Sequence, residues 1–97
     1  MEFRFRNFKV YQESKQLTVR VAAITRTFGN ENRYLADQLR RSSSSIVLNI
    51  AEGSAKRSDK DFNRYLENAM GSVNETIAAL EIARDLKLVE PQTFDFF

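Results

Sequence analysis

From Val10 to Phe28 the chain sets Val10, Ser14, Leu17, Val21, Ile24 and Phe28 at spacings that alternate four and three. That rhythm is one stripe of an α-helix, because 3.6 residues complete a turn. It recurs in Leu35, Leu39, Ser42, Ile46, Asn49 or Ile50, and Gly53. A third run passes through Phe62, Leu66, Ala69, Val73, Ile77, Leu80 and Arg84. Breakers are few: Gly29, Gly53, Gly71 and the single Pro91. Hairpins need such residues, so the predicted class is all-α, a single helical-bundle domain over residues 1–97. Helices are expected at about 8–28, 33–53 and 59–87, with the start of a fourth near 91. Gly29 is expected to cap the first, Asn30 or Asn32 to open the second, and Ser58 with Asp61 to open the third. Pro91 suits a first helical turn.

The inventory excludes much chemistry. Cysteine and histidine are both absent. That removes disulfides and thiolate metal sites, and with them the commonest general base and metal ligand. A di-iron bundle needs Glu-x-x-His pairs, a nucleophilic serine needs a nearby base, and no glycine-rich phosphate loop exists. Glu52 and Glu75 are more simply read as polar partners of Asn49, Ser72 or an arginine than as a catalytic pair. The expectation is a non-enzymatic protein with no cofactor and no metal. No apolar window is long enough to span a bilayer, and "MEFRFRNFKV" lacks the apolar core of a signal peptide, so the expected location is the cytoplasm.

"RRSSSSIVLNIAEG", residues 40–53, reads at first like a basic linker. Helical phase argues otherwise: Leu35, Leu39, Ser42, Ile46, Asn49 and Gly53 fall within about 40° of one line at 100° per residue. Ser42 and Gly53 on that line allow a neighbouring helix to come close. Asn49 is expected to be a hydrogen-bonded core amide that sets register. Val47, Leu48 and Ala51 project to the other side, and on the third helix Gly71, Ala78 and Ile82 lie opposite the main stripe. A short helical domain that is apolar on both sides buries the second side against another chain or against its own neighbours. Self-association through these six residues is the expectation, and coverage within one bundle is the alternative.

These residues carry a resemblance. "QLRRSSSSIVLNIAEGSAKRS" followed by "FNRYLENAMGSVNE" resembles the signature of bacterial four-helix-bundle proteins encoded in intervening sequences of large-subunit (23S) rRNA genes. The matching positions are Gln38, Arg40, Arg41, Ser45, Ile46, Asn49, Ile50, Ala51, Glu52, Gly53, Ala69, Gly71, Ser72 and Glu75, and "FRNFKVYQESKQL" is similar to the family's first helix. The resemblance implies an antiparallel up-down bundle, a homo-oligomer with a pentamer among relatives, and no enzymatic activity. It also relates the chain to the accessory variability determinant of diversity-generating retroelements, which works with a reverse transcriptase and nucleic acid. Relatives continue into a long fourth helix, so Phe94, Phe96 and Phe97 are expected to begin one, with further chain beyond them. Ser42 to Ser44 stand where relatives are richer in alanine.

Charge points to an acidic partner. Residues 1–57 hold eleven Lys/Arg against five Asp/Glu, while residues 58–97 hold four against eight. Arg33, Arg40 and Arg41 are expected to share the outer face of the second helix, with Lys56 and Arg57 just past its end. Repeated around an oligomer, they would form a basic track for RNA or DNA, contacting phosphates rather than reading bases. Asp37 interrupts that patch. The other reading is a scaffold whose partner is a polypeptide, such as a polymerase, with no direct nucleic-acid contact.

Overall fold

The computed structural model describes residues 3–92, and every regular element among them is helical. A 3-10 turn, Arg4–Asn7, leads into helix α1 (Lys9–Thr25). A second 3-10 turn, Asn30–Asn32, leads into α2 (Arg33–Ser54), and α3 runs over Asp59–Asp85. Phe94, Phe96 and Phe97 lie outside the described residues. No helix among the described residues is long and apolar enough to cross a membrane.

The first helix is shorter than its apolar stripe. It ends at Thr25, whose hydroxyl bonds back to the Val21 carbonyl at 2.7 Å. The chain then tightens, with Phe28 N–H donating to the Thr25 carbonyl, and Gly29 takes φ 80°. Gly29 therefore closes the loop rather than capping the helix, although Phe28 still reaches the core. Asn32 sits at the start of α2 without bonding its first turn; its side-chain amide donates instead to the Phe28 carbonyl. Ser58 does cap α3, accepting from the Asp61 N–H at 3.1 Å, with Asp59 and Asp61 in the favourable first turn.

Helix α2 lies between α1 and α3 and packs against both. One end of the core joins Val21, Phe28, Leu35, Leu39, Leu80 and Ala83, and the other joins Ile46, Ile50 and Ala69 beneath Phe8, Tyr11 and Val73. Burying such side chains supplies the main driving force, at about 25 cal/mol per Å² of apolar surface. Because α2 has a neighbour on each side, its buried face widens to include Ala36, Ser43 and Ser54 beside the expected line.

The serine run is helical and lies in the packed interior. Ser42 and Ser43 are fully buried. Thr76 Oγ1 donates to Ser42 Oγ at 2.8 Å, Ser72 Oγ to Ser45 Oγ at 2.9 Å, and Thr18 Oγ1 on α1 to the Ser43 carbonyl at 3.1 Å. Small hydroxyl side chains let the backbones approach while each polar atom keeps a partner. At Gly53 the approach is closest: a Cβ there would stand 2.6 Å from Tyr65 Cβ and 3.0 Å from Phe62 Cδ1.

The third stripe is rotated from expectation. Ala69, Thr76, Ala79, Leu80 and Ala83 are buried, whereas Leu66, Met70 and Ile77 are exposed. Val73 of α3 borders an open groove whose other wall is Val10 and Leu17 of α1 and which also exposes part of Ile46.

Candidate nucleic-acid interface

Helix α2 sets Arg33 and Arg40 around Asp37, at 3.9 Å and 3.5 Å from its carboxylate oxygens. Arg40 leans towards α1, its Nε donating to Thr25 Oγ1 at 3.0 Å. Arg41 leans the other way, its Nη2 3.1 Å from Glu75 Oε1 on α3. The three arginines thus do not share one face: Arg40 and Arg41 straddle the helix, and each has a carboxylate partner. Exposed pairs of this kind contribute about 0–1 kcal/mol, yet they do offset local positive charge. Some sixteen residues on, about 24 Å at 1.5 Å per residue, Lys56 and Arg57 occupy the α2–α3 connection. Lys56 Nζ lies 4.9 Å from the Tyr65 ring centroid, and Arg57 is exposed.

The residues of the sequence signature meet along the α2–α3 seam. Gln38 Nε2 donates to Glu75 Oε1, which also takes Arg41. Asn49 is half-buried rather than on the core line, and its amide donates to the Ser45 carbonyl at 2.8 Å and to Ser45 Oγ at 3.0 Å. Glu75 therefore serves Gln38 and Arg41, while Ser72 and Asn49 both converge on Ser45. Glu52 is exposed. The seam is a device for holding two helices in register.

Away from the seam, Leu48 is 65% exposed and Ile82 49%, with Gly71 and Ala78 also exposed and Val47 and Ala51 half-buried.

A second basic region gathers at the end of the molecule where α1 begins. Arg4 stands 5.2 Å from the Phe62 ring centroid, Arg6 4.9 Å from Phe3 and Lys15 5.4 Å from Tyr11. Phe8 and Phe62 stack at 6.2 Å, and Phe5 meets Tyr11 edge-on at 4.9 Å. Lys56 and Tyr65 adjoin through the Gly53 contact. The alternation of aromatic and basic residues in "FRFRNFK" was the available signal for this cluster.

The family model described as 23S rRNA-intervening sequence protein matches residues 6–97. The chain belongs to that family. In this member of the 23S rRNA-intervening sequence proteins the match takes in all three helices and begins at Arg6, so Phe3, Arg4 and Phe5 precede it. No curated protein matches the chain.

Proposed function

We propose that this member of the rRNA-intervening sequence family is a non-enzymatic, homo-oligomeric helical-bundle protein that associates with nucleic acid, RNA foremost. The observation that carries the self-association is Gly71. It sits inside α3, where glycine costs about 1 kcal/mol relative to alanine, and among the described residues nothing beyond its own turn of helix lies within 4 Å of where a Cβ would be. A helical glycine with that space open suits the close approach of another subunit. Exposed Leu48, Ala78 and Ile82, on the same two helices, supply apolar area for such a contact. Oligomerisation then repeats the basic groups, turning a net charge of +2 per chain into an extended positive surface.

The bundle belongs to the same proposal. The helices are read as up-down and antiparallel, and a fourth helix is assigned to the groove between α1 and α3, covering Val10, Leu17 and Val73. Five subunits is the number the family resemblance implies, and the location proposed is the cytoplasm.

The alternative is a scaffold that binds a polypeptide such as a polymerase. It is favoured by the pairing of Arg40 with Asp37 and of Arg41 with Glu75, which leaves α2 less basic than its sequence. Titration of structured RNA and DNA at low and moderate salt separates the two. The first reading expects salt-sensitive binding; the scaffold expects none, with a partner captured equally well after nuclease treatment.

A further inference from the structure

We propose that the end of the molecule formed by the first 3-10 turn, the start of α1 and the α2–α3 connection is a stacking platform for unpaired nucleotides. The inference rests on the nucleic-acid reading above and assigns it a site and a substrate class: single-stranded RNA or DNA.

Two physical differences set this end apart from the α2 arginines. The first concerns charge. Among the described residues the ion pairs engage Lys9, Arg33, Arg40, Arg41, Arg64 and Arg84. Arg4, Arg6, Lys15 and Lys56 are held instead over aromatic rings. A ring face orients a cation through its quadrupole but carries no net charge. These four groups are therefore positioned with their full positive charge available to phosphates.

The second difference is the rings. Phe8 and Tyr11 pack onto Ile46, Ile50 and Ala69, so the core accounts for them. Phe3 belongs to neither core cluster and is 43% exposed, 6.0 Å from Phe5 and beneath the Arg6 guanidinium. An exposed phenylalanine flanked by arginines is costly in water and useful against a base. Single-strand binders combine a positive track with aromatic faces on which successive bases stack. Duplex bases are already stacked on one another and offer such a ring little. The platform consequently favours unpaired strands, and neither stacking nor phosphate contact reads the 2′-hydroxyl, so RNA and DNA should bind alike.

The test is fluorescence anisotropy of the whole 97-residue chain with a labelled single-stranded RNA, a DNA of the same sequence, and the corresponding RNA duplex, at low salt. Single strands are expected to bind more tightly than the duplex. Phe3→Leu keeps an apolar side chain but removes the ring, and should weaken single-strand binding about tenfold, the order of one stacked base. Phe3→Tyr should restore it, and duplex binding should be unchanged in both. Phe3 lies outside the core, and circular dichroism of each variant verifies that its helices are intact. Equal affinity for single strands and duplex, with Phe3→Leu silent, overturns the platform and leaves the nucleic-acid reading standing. No binding of any of the three overturns both.

Discussion

Thr76 Oγ1 donates to Ser42 Oγ across 2.8 Å between α3 and α2, and both residues are wholly shielded from water. Thr76 Oγ1 also stands 2.8 Å from the Ser72 carbonyl in its own helix. Removing the serine hydroxyl therefore leaves Thr76 an alternative acceptor. Ser42→Ala should cost only about 0.5–1.5 kcal/mol in urea denaturation. Ser42→Leu is different, since it forces a larger side chain into a fully buried seam. It should cost about 1–3 kcal/mol or more, and a leucine variant as stable as wild type would contradict this picture of the contact.

Gly53 makes the same point more sharply. Alanine adds up to about 1 kcal/mol of helix propensity at an exposed position, but here its Cβ meets Tyr65 Cβ, an atom fixed to the α3 backbone, at 2.6 Å. The helices must separate to admit it. Gly53→Ala is expected to lower the thermal midpoint, and a raised midpoint would show that α2 and α3 are less closely apposed there.

How much of this was legible in the chain depends on the helix. On α2 the four-three spacing picked out Leu35, Leu39, Ser42, Ile46, Asn49 or Ile50, and Gly53, all buried except Asn49, which is half-buried. It missed Ala36, Ser43 and Ser54, because nothing in the spacing says that a helix has a neighbour on each side. On α3 the same rule picked out Ala69 and Leu80, which are buried, but also Leu66 and Ile77, which are exposed, and it missed Thr76, Ala79 and Ala83. Close approach selects small residues, and alanine and threonine weigh little in a hydrophobic count. Charge was less legible still. Arg40 and Arg41 are neighbours in sequence, yet the helix turns them towards Thr25 and Glu75 on different partners. The alternating aromatics and arginines before α1 were in plain view, but only the fold brings Phe62 to Arg4 and sets Lys56 over Tyr65.

Gly71 offers a test in which monomer stability and assembly move in opposite directions. Space around it is open within the chain, so Gly71→Ala should stabilise each subunit's helix by up to about 1 kcal/mol. If a second subunit approaches that backbone, the added methyl weakens the assembly. Sedimentation across a concentration series should show dissociation at higher concentration than for wild type. Unchanged association would place the interface elsewhere.

The basic groups should not contribute equally to nucleic-acid affinity. Arg41 is paired with Glu75, and Arg57 is exposed on the connection. Charge reversal at Arg57 is therefore expected to weaken binding more than reversal at Arg41, and binding overall should fall steeply with salt. Filter binding over a salt series checks both, and a dominant effect at Arg41 would contradict the role given to its carboxylate partner.

Self-association is the claim on which the repeated-charge surface depends, and its most direct test is the solution mass by light scattering, for wild type and for Leu48→Glu. The account predicts a wild-type mass several times the 11.2 kDa of one chain, and for Leu48→Glu a collapse to the single-chain mass with helicity retained. A wild-type protein that scatters as one 11.2 kDa chain, or a glutamate variant with the wild-type mass, would contradict it.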